Sequence, residues 1–332
     1  VESKNEHELK RRLKAIGLSE GAITAAWPQW WSEDADASPS ARLELHFSIA
    51  RKLGIDPRSL LDAEGTPRFV WRDEARFKHL SGESDIDRAS ISSFGRAVGA
   101  LIVEATTGVA RDVPDPQSLR TAFLRSQPFV RLVDLLALCW AIGTPTIHLR
   151  VFPRLQKRMA AMSVRVSGRG AILLARDSNY PAWIAFYLAH ELGHLALGHV
   201  HGEGAIVDMQ SENWSAAHDD VEERDADRYA LELLTGRPDL TVVTESKNYN
   251  AAGLADAVIG AGNQLGVEPG TLALCFGFAT KNWAVVNSAM HFIYATSQPV
   301  WQQVNDLALR ELDLDQIPDD SRSYIATILG AA

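Results

Sequence analysis

The sequence predicts an α+β fold, mostly helical, with one small β-sheet packed on a single buried helix and helical regions on either side. Three observations carry this. An apolar run over residues 181–197 has no helix breaker between Pro181 and Gly193. Just before it, residues 163–167 and 171–175 form two short β-type runs around Gly168-Arg169-Gly170, which reads as a hairpin. After Leu240, segments near 250–266, 269–280, 282–296, 299–312 and 318–330 have the length and apolar spacing of helices.

The chain has 332 residues, more than one average domain. It divides into a helical region 1–85, a core 86–240 and a helical region 241–332. Apolar content of 46% and charged content of 23% are those of a soluble globular protein. The net charge of −9 argues against a general nucleic-acid coat protein. Residues 143–176 carry seven bases and no acid, whereas residues 177–236 carry twelve acids and two bases. Two solvated faces that pair with each other account for this, and a charged groove for an extended partner is the sharper alternative.

Taken in order, residues 1–36 read as a charged amphipathic helix, a turn with Trp27, Trp30 and Trp31, and an acidic loop over 32–36. The tryptophans are expected to cap a small core. In 41–62 one helix ends at Gly54, and the next starts with Asp56 as N-cap and Pro57 at its first position. This pair resembles part of a helix-turn-helix, although helical hairpins are common scaffold. Residues 81–85 read as a linker, 90–110 as a helix, 112–116 as a loop, 117–142 as a helix and 143–150 as the entry to a strand. Cys139 and Cys275 lie inside apolar runs and read as buried free thiols of a cytoplasmic protein, with Cys139 as an inhibitory metal thiolate the less common alternative. The first residues are not those of a signal peptide, and the longest apolar runs contain Asp134 or the His/Glu motif, so no membrane span is expected.

The run over 181–197 contains His190-Glu191-Leu192-Gly193-His194. Residues four apart share a helix face, so both histidines can address one metal ion. Glu191 then projects beside the ion as a base for its water. Zinc takes nitrogen, sulfur or carboxylate ligands in a tetrahedron, and a catalytic site keeps one position open. Satisfied core histidines are the plain alternative.

A third ligand is needed. His199 falls on the opposite helix face. A long zinc motif would require a histidine at 200, which is Val200, and His201 is one residue off. The following helix, starting near His218, is richer. Glu223, Ala226, Asp227, Ala230 and Leu234 form one face, otherwise small and apolar. Glu223 is assigned as the third ligand, and Asp227 as the acceptor that fixes the tautomer of a ligating histidine. Glu222 points about 100° away and reads as solvated. The oxyanion donor stays open among His199, His201, Tyr180 and Tyr229.

The hairpin, the Ala-His-Glu-Leu-Gly-His helix and the Glu223-x-x-Ala226-Asp227-x-x-Ala230-x-x-Leu-Leu helix resemble the ImmA/IrrE family of zinc metallopeptidases, over roughly residues 120–236. The resemblance implies a zincin-like core that cleaves helix-turn-helix transcriptional repressors in phage, mobile-element or stress-response systems. It implies zinc on His190, His194 and Glu223, with Glu191 as the catalytic base. The hairpin strand beside the metal helix is expected to bind substrate as an added strand. DNA or another regulatory ligand is a possible further partner. Two rival readings stand beside this one. The first is a DNA-binding regulator using Arg51, Lys52 and Arg58. The second is a toxin–antitoxin-type interaction protein whose zinc core is not proteolytic.

Overall fold

The computed structural model describes residues 3–71, 75–78, 84–154, 159–209, 220–245 and 249–331. Among them, one mixed five-stranded sheet lies between two layers of helices. The strands are β1 (Ala75–Lys78), β2 (Thr146–His148), β3 (Met159–Val166), β4 (Arg169–Leu174) and β5 (Ala205–Met209), in the order β1-β5-β3-β4-β2. β3 is antiparallel to both β4 and β5, whereas β1 runs parallel to β5 and β2 parallel to β4. The central strands read as nearly continuous apolar runs because both faces are covered.

One face receives α1 (Lys4–Ala15), α2 (Glu20–Ala26), α4 (Pro39–Leu53), α6 (Asp85–Glu104) and α15 (Asp319–Leu329), which share a core with Met162, Val164, Ala171, Leu173 and Val207. Short α3 (Glu33–Ala37) and α5 (Pro57–Leu61) flank α4. α6 lies close on the sheet because Gly95 and Gly99 have no side chain. A Cβ at Gly95 would meet Met162 Sδ at 2.3 Å, and one at Gly99 would meet Val164 Cγ2 at 2.6 Å.

The other face packs against α7 (Pro116–Phe123), α8 (Leu132–Ala141), α9 (Pro181–Ala196) and α10 (Val221–Thr235). Beyond α9, the helices α11 (Ala251–Leu265), α12 (Pro269–Thr280) and α13 (Trp283–Ile293) close a third core over Ala182 and Trp183. α14 (Val300–Glu311) seals the β2 edge. There Asn305 Oδ1 accepts from His148 N at 2.7 Å, while Nδ2 donates to His148 O at 2.8 Å and to Leu329 O at 2.9 Å.

The helical majority, the hairpin and the five late helices agree with the sequence reading. Several details differ. Residues 33–37 are helical rather than loop, since Ser32 caps Ala35 N. The helix expected over 117–142 is two, α7 and α8, parted around Pro128, which has no N–H to continue a helix. Positions 81–83 of the expected linker, and His218 at the expected start of α10, lie outside the described residues, while Asp85 opens α6 behind the capping residue Ser84. β1 and β5 had no counterpart in the sequence reading. The first core joins residues from Leu9 to Leu329, so it crosses the boundaries drawn at 85 and 240. Trp27 and Trp31 pack on that core, whereas Trp30 is exposed. α5 is only five residues long, and beside it Arg51 and buried Lys52 are both paired with Asp320. β5 covers the outer edge of β3, and β2 covers that of β4 over 172–174, so in β4 only the short stretch 169–171 lacks a partner strand on its outer edge, where a peptide could be added.

Candidate metal centre

α9 starts with Pro181 at its first turn and ends before Gly198, which adopts φ +71°. His190, Glu191 and His194 are all buried on it. α10 begins behind Asp220, whose carboxylate accepts from the backbone N–H groups of Glu222 and Glu223. The two helices approach at Gly193, where a Cβ would stand 3.1 Å from the Cα of Ala226 and from the Cβ of Tyr229. The small face of α10 therefore brings Glu223 to the histidines, as its spacing predicts.

His190 Nε2 and His194 Nε2 lie 3.0 Å apart. Glu223 reaches both, with Oε2 3.5 Å from His190 Nε2 and Oε1 3.4 Å from His194 Nε2. The opposite ring nitrogens are occupied. His190 Nδ1 is 2.9 Å from Asp227 Oδ1, and His194 Nδ1 is 3.0 Å from His199 Nδ1. Each outward contact fixes its ring so that Nε2 faces the common point.

A fourth group completes the cluster. Asp208 Oδ2 on β5 is 3.2 Å from His190 Nε2, and one ligand atom from each of His190, His194, Asp208 and Glu223 fits within 4.8 Å of all the others. On β5, Ala205, Val207 and Met209 belong to the core on the α6 side, while Ile206 belongs to the α9 side. Alternation thus turns Asp208 toward α9. The sequence reading missed it, since an aspartate in a five-residue apolar run of unrecognised strand type gives no spacing to read.

These residues fit a metal ion. Two imidazoles and two carboxylates are a zinc-type donor set, and tetrahedral zinc with bonds of about 2.1 Å would separate its ligands by about 3.4 Å. The four distances above bracket that value. Buried Asp208 Oδ1 and Glu191 Oε1 have no hydrogen-bond partner among the described residues, a costly state that a cation beside them would relieve.

Glu191 is fully buried, and Ser163 Oγ donates to its Oε2. Burial, reinforced by the charge of Asp208, pushes the Glu191 carboxyl well above the usual range. For Glu223 burial acts in the same sense, but hydrogen bonds from His190 and His194 outweigh it and hold the carboxyl well below its usual value. Burial opposes the charge of His190, yet Asp208, Asp227 and Glu223 together raise its pKa well above normal.

The remaining candidates separate clearly. Glu222 is not in the cluster; it binds Arg76 Nη1 at 2.6 and 2.7 Å and Lys78 Nζ at 3.3 Å. Lys78 also lies 2.6 Å from Asp220 and 3.5 Å from Glu223 Oε1. Among the proposed oxyanion donors, Tyr229 Oη donates to Pro114 O, Tyr180 Oη pairs with His291, and His199 faces His194. His201 is exposed. Cys139 is buried in the α8 core, where its thiol is pushed up to about 12 by burial, and it is outside the cluster. No protein-family model, curated protein or solved structure matches the chain.

Proposed function

We propose that this chain is a zinc-dependent endopeptidase with a zincin-like core. The observation that carries the reading is the convergence of His190, His194 and Glu223 with Glu191 buried beside them but outside the ligand set. A purely structural metal site has no use for a buried carboxylate held ready by Ser163.

In this reading His190, His194 and Glu223 hold zinc, Asp227 orients His190, and His199 orients His194. When bound, the metal polarises the scissile carbonyl and acidifies a water. Glu191 takes the water proton and returns it to the leaving amine. The substrate class follows from the resemblance noted above: a helix-turn-helix transcriptional repressor, cut in the cytoplasm. The two buried thiols fit a reducing compartment. Among the described residues no helix is long and apolar enough to cross a membrane. The DNA-binding alternative is weakened because Arg51 and Lys52 are engaged with Asp320.

A second reading, a non-proteolytic metal core, is favoured by one observation: with Asp208 the site holds four protein donors, as closed structural sites do. Metal content by mass spectrometry tests the shared premise. About one zinc per chain is expected, lost in His190→Ala and Glu223→Gln. Incubation with candidate repressors then tests peptidase action. A zinc-loaded chain that cuts none of them moves the assignment to the second reading.

A further inference from the structure

We propose that Asp208 is a fourth, displaceable ligand of the metal centre: its carboxylate faces the point that the other ligand atoms share, and an incoming neutral oxygen takes its place. The inference rests on the catalytic reading of the centre and adds its means of control.

The argument starts from what Asp208 is not doing. It does not orient a ligand, because Asp227 and His199 already hold the outward nitrogens of the two histidines. Its own contact is with Nε2 of His190, on the side where the ion binds. Its second oxygen, Oδ1, is buried without a hydrogen-bond partner. A carboxylate kept for structure would be expected to collect backbone or side-chain donors on both oxygens. Asp208 is instead held by the cluster itself.

The geometry then sets up a conflict. Catalysis needs an open coordination position, and four protein donors on one tetrahedral ion would leave none. One donor must yield. His190 and His194 are fixed on a buried helix. Glu223 is fixed by the Gly193 contact between α9 and α10 and lies near Lys78. Asp208 stands on the short strand β5 and meets the cluster through Oδ2 at His190 Nε2, while no hydrogen bond holds its Oδ1 among the described residues, so it is the donor that would yield. The exchange makes and breaks coordination bonds only. Asp208 leaves as a carboxylate and a neutral oxygen enters.

The test uses the full chain loaded with cobalt(II), whose visible absorption reports coordination. Acetohydroxamate is titrated into wild type, Asp208→Ala and Asp208→Asn. The expected result is metal retained in all three and acetohydroxamate bound at least tenfold more tightly by Asp208→Ala than by wild type, with Asp208→Asn between them. Equal affinity in the three forms would overturn the proposal, as would loss of metal from both variants, which would make Asp208 an indispensable ligand. Cleavage of labelled casein is followed in parallel with zinc. A higher rate in Asp208→Ala supports the gate, and a rate lowered in both variants overturns it. If no form cuts casein or candidate repressors while acetohydroxamate affinity responds as expected, the peptidase reading fails and the ligand assignment stands.

Discussion

Asp227 accepts a hydrogen bond from Nδ1 of His190 at 2.9 Å, one helical turn beyond Glu223 on the same face of α10. One helix thus carries both a candidate ligand and the group that aims another candidate ligand. Loss of such an orienting partner typically costs 10–100-fold in metal affinity. Asp227→Ala should therefore bind zinc about 10–100-fold more weakly while remaining folded, since its side chain is partly exposed. A chelator-competition titration with circular dichroism checks both halves.

Glu191→Gln separates binding from chemistry. The amide keeps the shape and can still accept from Ser163, but it cannot take a proton. Zinc content should match wild type, and turnover on a cleavable repressor should fall by about 10²–10⁴-fold. Normal turnover in that variant would remove Glu191 from its role.

Lys78 stands opposite Asp208 in the parallel β1–β5 pair and is nearly buried beside Asp220, Glu222 and Glu223. Lys78→Met leaves three carboxylates without their shared cation. Asp220 and Glu222 are partly solvated, so the loss should be about 3 kcal/mol or less in the apo form. Lys78→Arg should recover part of it. Urea denaturation of the metal-free chain is the direct measurement.

Acid sensitivity is expected away from the metal. Burial works against the charge of Asp320, but Ser48, Lys52 and Arg51 hold its pKa below the ordinary value. Burial also depresses Lys52, with Asp320 only partly offsetting it. The pair therefore favours the aspartate and costs the lysine. A depressed carboxylate contributes fully above its unfolded pKa of about 3.9, and that contribution is lost as pH falls through the folded value. Stability should drop below about pH 4, and Asp320→Asn should flatten that drop. At pH 7 the same change strands buried Lys52, at about 3–5 kcal/mol. Thermal melts across pH 3–7 read both effects.

The buried helix α9 and the placement of Glu223 and Asp227 beside it were legible because each depends on spacing along a helix, which a single segment records. Pro181 and Gly198 marked the helix ends for the same local reason. Asp208 was not legible, because its place follows from β5 pairing with β3, and that contact is absent from any local pattern. β1 was hidden likewise: its partner strand lies about 130 residues later in the chain. The hairpin strands were found, but the covering of most of their outer edges depends on β2 and β5 flanking them. Over 117–142, sustained apolar periodicity concealed the break that Pro128 announces.

The hydroxyl of Tyr324 donates to the backbone oxygen of Lys52, 272 positions earlier, and Asp320 binds the same turn of α4. A ribosome adding about 5–20 residues per second needs on the order of tens of seconds to supply that partner. Throughout that interval α2, α5 and α6 can cover the inner face of α4, but Lys52 lacks the counter-ion that Asp320 supplies. The polar contacts of this turn of α4 are therefore completed only near the end of synthesis, after its apolar face can already have been buried.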